Sequence, residues 1–154
     1  MTEFTQNERS QAWEKLAARW SITEHYWYPL TGKEPADTLA LYAPHFKQQL
    51  GGKFLHSVLN SEGVVTLIEF CEDGDASSLS ANEVDFEYTG LEAFWSAPPF
   101  DWIVYCSHES SITLGGRSLL EPLKQAWPRW RNSQWRSPFE RDYVRIEDSG
   151  GRHV

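Results

Sequence analysis

The stretch DWIVYCSHESSITLGG, Asp101–Gly116, holds two short apolar runs on either side of His-Glu-Ser. DWIVYCS and SITLGG are rich in β-branched and aromatic residues and are bounded by turn residues, so each reads as a strand. A connection this short joins neighbouring strands that run antiparallel. Leu114-Gly115-Gly116 marks a strand end at which the backbone turns sharply. RSLLEPLKQAWPRW then predicts a helix of about ten residues, stopped near Pro128, with Pro122 in its first turn.

Working outward, EVDFEY alternates without a break. Val84, Phe86 and Tyr88 fall on one face, Glu83, Asp85 and Glu87 on the other, the pattern of a half-buried strand. KFLHSVLN and VVTLIEF read as a hairpin around a Ser-Glu-Gly turn. LEAFWSAPPF reads as a short helix or loop closed by Pro98-Pro99. Near the start, Thr5 and Glu8 form a capping box, and Ala12, Trp13, Leu16, Ala17 and Trp20 repeat at helical spacing. SITEHYWYPLTGKEP is an aromatic connector. Leu39, Tyr42, Ala43, Phe46 and Leu50 predict a second helical segment from about Pro35, kinked or split at Pro44 and ended by Gly51-Gly52. Together these elements predict an α+β domain: an antiparallel sheet of about four to five strands, with helices from both chain ends packed on one face. The 154 residues form a single domain (1–154), with an ordered core over about 5–145 and a frayed tail over 146–154.

Eight Trp, eight Phe and six Tyr supply large buried areas, so the chain is a folded globule and not a disordered one. No apolar run approaches the ~20 residues of a membrane span. The start, MTEFTQNERS, lacks the basic and apolar regions of a secretory signal. The expectation is a cytoplasmic protein that does not meet the membrane.

Charge is distributed unevenly. Residues 1–53 hold six basic and six acidic groups; 54–116 hold eleven acidic and none basic; 117–154 hold eight basic and five acidic, which together give the net −8. Asymmetry of this kind points to a charged partner, or to a tail that folds back on the middle. A surface of this sign repels phosphates, so the middle is not expected to bind nucleic acid. Six carboxylates are the candidate partner-binding residues: Glu72, Asp73 and Asp75 of the EDGD loop, and Glu83, Asp85 and Glu87 of the alternating stretch. A stripe of this kind serves either as a solvated face that keeps the protein soluble or as an electrostatic docking surface for a basic protein.

Two further segments carry candidate chemistry. AWPRWRNSQWR interleaves Trp127, Trp130 and Trp135 with Arg129, Arg131 and Arg136. It reads as a stacking surface or interface hot spot, or as tryptophans that cap the core while the arginines pair with the acidic middle. In YCSHES, Cys106 and His108 share a face of a strand, so a Cys–His pair is conceivable; as turn residues, Ser, His and Glu are also ordinary. Cys71 and Cys106 read as buried thiols, with a disulfide only if their strands are neighbours. No zinc spacing, calcium-loop order, P-loop or dinucleotide fingerprint occurs, so no metal and no cofactor are expected.

DWIVYCSHESSITLGG, followed by a helix ending AWPRW, resembles small bacterial immunity proteins, which neutralise a partner toxin delivered between competing bacteria. The resemblance covers roughly residues 95–130. It implies a binder of one protein partner, often acidic where the toxin is basic, and it fixes no site residues. The expected function is therefore a bacterial immunity or inhibitor protein, not an enzyme, that occludes a basic toxin through the six carboxylates. The alternatives are a small enzyme using Cys106 and His108, or an adaptor whose contact is the Trp–Arg segment.

Overall fold

The computed structural model describes residues 2–137. The chain forms strand β1 (Thr2–Glu3), helix α1 (Gln6–Trp20), β2 (Thr38–Tyr42), α2 (Ala43–Gln49), α3 (Gly51–Ser61), β3 (Thr66–Cys71), β4 (Ala76–Ser80), β5 (Ala93–Ser96), β6 (Ile103–Cys106), β7 (Ser111–Gly115) and α4 (Arg117–Ala126). Short 3-10 turns follow at Ala81–Glu83 and Trp130–Ser133. All strands pair antiparallel in one sheet of order β1-β4-β3-β5-β6-β7-β2. The α+β class and the antiparallel sheet are as the sequence predicts. The sheet is wider than four to five strands, with seven including the two-residue edge strand β1.

The cover is also more extensive. The four residues of β6 are all buried, Ile103 and Tyr105 toward one face, Val104 and Cys106 toward the other. Such a strand needs a layer on each side. α1 and the connector after it supply one: Leu16, Trp20 and Trp27 pack with Phe70, Phe94 and Tyr105. α2, α3 and α4 supply the other, where Phe46, Leu55 and Leu123 pack with Leu67, Val104 and Leu114. The helices therefore lie on both faces, not one.

Several local features follow directly from sequence. The Thr5–Glu8 capping box is formed in both directions, at 3.1 and 2.9 Å. Gly115 leaves room for Trp20, whose ring lies 2.8 Å from where a Cβ would stand. Gly116 turns the chain into α4 at φ +102, a backbone conformation that disfavours any side chain.

Several segments differ from expectation. Thr38–Tyr42 is strand, not helix. Pro44 sits in the first turn of α2, where its ring is tolerated, and Leu39 and Leu41 alternate into the core. Gly51-Gly52 opens α3 instead of closing α2. KFLHSVLN is helical because Leu55, Val58 and Leu59 form a stripe, which its short apolar pairs disguise as alternation. Ala93–Ser96 is a strand buried on both faces, so it shows no alternation to read. Pro122 is the sixth residue of α4, inside the helix and not in its first turn. The segment 146–154 lies outside the described residues.

Glu83–Tyr88 is not a strand. After the 3-10 turn the chain has no ladder partner, and Phe86 adopts φ +53. Its burial still alternates: Val84 and Phe86 are 4% exposed, while Asp85 and Glu87 face outward. Tyr88, expected inside, is 41% exposed.

Candidate functional site

Antiparallel pairing brings four connections to one end of the sheet. Cys71 is opposite Ala93, Ala93 opposite Cys106, and Tyr42 opposite Ser111. The β3–β4 turn, the segment before β5, the β6–β7 turn and the β2–α2 junction are therefore neighbours. The first three carry Glu72, Asp73, Asp75, Glu92 and Glu109.

Glu92 is the hub of this end. It is 3% exposed and accepts a hydrogen bond from the Tyr105 hydroxyl. Its Oε2 accepts from the backbone N–H of His108 at 2.5 Å and is bonded to His108 Nδ1 at 2.8 Å. The Glu92 N–H in turn donates to Glu72 Oε1 at 2.8 Å, and the Glu72 N–H donates to the Glu92 carbonyl at 3.0 Å. The hydrogen bond to Glu92 holds the His108 pKa above its usual value; burial opposes this, and Glu92, Glu109 and Glu72 add to it by charge. Burial, then the bond to Glu92, pushes the Tyr105 hydroxyl well up, so it remains a donor.

Of the six predicted carboxylates, Glu72, Asp73 and Asp75 stand together on the β3–β4 turn. Gly74 N–H bonds the Cys71 carbonyl there, and Asp75 N–H bonds Asp73 Oδ1 at 3.0 Å. Asp85 and Glu87 stand on the loop beside the start of α3, where the Asp85 carbonyl lies 3.2 Å from where a Cβ on Gly52 would be. Glu83 is apart from the others. It belongs to the 3-10 turn at the opposite end of the sheet, next to Thr66 and Ser80. The three residues do not form the single strand face that the alternation suggested. Two ion pairs offset part of the charge: Arg9–Asp75 at 3.4 Å and Lys47–Glu87 at 2.9 Å, both exposed. Asp73, Glu83 and Asp85 make no ion pair among the described residues. Two exposed apolar side chains, Tyr88 and Leu91 (each 41% exposed), lie in the segment between Glu87 and Glu92.

Trp127 and Trp130 cap the core on the face covered by α2, α3 and α4. Arg131 lies 4.5 Å and Lys124 4.8 Å over the Trp130 ring. Trp135 donates its indole N–H to the Glu109 carbonyl at 2.8 Å, and its backbone N–H bonds Ala40 on the edge strand β2. Among the described residues, none of Arg129, Arg131 and Arg136 pairs with a carboxylate. The tryptophans are structural, and these arginines do not neutralise the acidic middle.

Cys106 and His108 are not wired as nucleophile and base. Cys106 Sγ donates to the Phe86 carbonyl at 3.3 Å on the face covered by α2, α3 and α4, whereas His108 is tied to Glu92. Burial, then the charges of Glu87 and Glu92, push the Cys106 thiol far up. Cys71 and Cys106 flank Ala93 on either side, two strand spacings or about 9–10 Å apart, beyond the ~7 Å that a disulfide spans. Both are free. No group of three or more His, Cys, Asp or Glu with metal-holding geometry occurs among the described residues, nor any helix long and apolar enough to cross a membrane.

Sequence reasoning did not find the role of Glu92. The signal available was a carboxylate between Leu91 and an apolar run, AFW, that has no polar face. No protein-family model, curated protein or solved structure matches the chain.

Proposed function

We propose that this protein is a non-catalytic inhibitor of the immunity type, which works in the cytoplasm and blocks one basic protein partner, a toxin, by docking its acidic sheet end over it. The observation that carries the reading is the composition of that end. The connections at that end carry exposed carboxylates (Asp73, Asp75, Asp85, Glu87), and the segment between Glu87 and Glu92 adds two exposed apolar side chains, Tyr88 and Leu91. Exposed apolar side chains beside a charged rim are what protein interfaces are built from. The rim speeds encounter and rejects wrong partners, while the apolar contacts hold the complex. Blockage is steric and guided by charge; it needs no reactive thiol, metal or cofactor, and no nucleic acid.

The test is affinity capture from a lysate of the source bacterium, with wild-type bait beside an Asp73→Lys/Asp85→Lys bait. Both residues are exposed and make no ion pair among the described residues, so the variant folds. One stoichiometric basic protein, held by the wild type and lost by the variant, and whose toxicity the wild type suppresses on co-expression, is the expected result. A partner held equally by both baits overturns the acidic docking face.

A further inference from the structure

Between the N-terminal half of α1 and the β3–β4 turn lies a cleft of about 310 Å³. Its floor is aromatic. Trp13, half-buried, meets Phe70 tilted at 5.6 Å and Phe94 edge-on at 5.3 Å between ring centroids. Its walls differ in charge. The helix wall carries Arg9, one turn before Trp13 and on the same side of α1; the turn wall carries Glu72, Asp73 and Asp75. Three carboxylates thus face one guanidinium, with the His25 imidazole also lining the cleft. Arg9 reaches across to Asp75 at 3.4 Å, but Asp75 is 71% exposed and the contact is long, so this bridge is weak. Asp73 has no cation among the described residues.

We propose that this cleft receives one arginine side chain of the basic protein partner, with its guanidinium over the Trp13 indole and bonded to Asp73 and Asp75. The inference rests on the reading of the protein as an inhibitor of a basic partner, and it assigns the β3–β4 turn a specific task within it. Arginine suits the cleft better than lysine. Its planar, weakly hydrated guanidinium stacks on an indole face and forks onto carboxylates, whereas an ammonium is a compact point charge. Arg9 makes the weak, solvent-exposed form of this contact from within the chain. An incoming guanidinium adds the aromatic face and the charge that Asp73 lacks. A neutral side chain of the same shape gains only the apolar floor, and an anion meets three carboxylates.

The experiment is a titration of the full chain, followed by ¹H–¹⁵N correlation spectra, with Ac-Gly-Arg-Gly-NH2 and its citrulline counterpart. The expected result is saturable shifts of the Trp13 indole N–H and the Gly74 and Asp75 amides with the arginine peptide alone. The Asp73→Asn/Asp75→Asn variant weakens binding at least about tenfold, the scale of one charge-assisted hydrogen bond. Cleft shifts that are absent, or equal with citrulline, overturn the proposal. Arginine-dependent shifts confined to Tyr88, Leu91 and Asp85 overturn the cleft while leaving the acidic docking face standing. A captured toxin indifferent to Asp73→Lys/Asp85→Lys overturns the docking face, whatever the peptide does in the cleft.

Discussion

Glu92 and Asp73 are carboxylates at the same end of one sheet, and they do opposite work. Glu92 is 3% exposed and collects bonds from Tyr105, the His108 backbone and the His108 ring. Asp73 is exposed, and among the described residues its hydrogen bond stays within its own turn, from the Asp75 N–H. The first holds together the segment before β5 and the β6–β7 turn. The second contributes little to the fold and leaves its charge facing water. Depth, and not residue type, separates the carboxylates that build this end from those that present it. A buried charge persists only where its partners are in place; an exposed one is retained at almost no structural cost.

The contrast is broken or sharpened by measurement. The largest effect is expected at the hub. Glu92→Ala strands the Tyr105 hydroxyl and the His108 N–H, and it should cost about 3 kcal/mol in urea unfolding. A loss under about 1 kcal/mol would place Glu92 among the surface carboxylates. Next comes pH. The bond to Glu92 raises the His108 pKa in the folded state, with Glu109 and Glu72 adding to it and burial opposing it. A raised folded pKa means stability that is fully present below the unfolded value of about 6.5. That share is lost as pH rises through the folded value. The urea midpoint of wild type should therefore fall across this window relative to His108→Asn, modestly, because His108 is half-exposed. Parallel curves for the two proteins contradict the coupling.

Smaller still are the thiol effects. Both cysteines should alkylate slowly at neutral pH in the folded protein: Cys71 because its thiol is pushed up to about 12, Cys106 because it is also 1% exposed. Cys106 should react only after unfolding. Rapid reaction of folded Cys106 near pH 7 would restore the case for catalysis. The smallest effect on stability belongs to the rim. Asp73→Asn and Asp85→Asn should each leave the unfolding free energy within about 0.5 kcal/mol. A large loss there would erase the distinction between hub and rim.

Much of the fold was legible because local signals agreed with tertiary ones. α1 announced itself through its capping box and stripe, and β6 and β7 through apolar runs either side of a turn. Where the signals were ambiguous, context decided. Pro44 reads equally as a helix break and as a helix start; pairing of Thr38–Tyr42 with β7 selects the start. Leu55, Val58 and Leu59 sit in a stretch short enough to pass for a strand. Ala93–Ser96 has no alternation because no face of it meets water. Glu83–Glu87 shows that in–out alternation can arise in an irregular segment laid over the core, without a ladder. The carboxylates of the site were visible as composition, but their grouping was not. Glu72, Asp73 and Asp75 come near Glu92 and Glu109 only through the pairing of β3, β5 and β6, while Glu83, close in sequence to Asp85, is carried to the other end. The hub was hidden because a lone Glu before an apolar run gives no hint that a Tyr and a His far along the chain will surround it.

The central claim is that the exposed carboxylates steer a basic partner onto this end. The most direct measurement is the association rate of the captured toxin with wild type and with Asp73→Lys/Asp85→Lys, over a range of salt concentrations. The wild-type rate should fall steeply with ionic strength, and the variant rate should be low and nearly flat. Equal rates with equal salt dependence in the two proteins would contradict it.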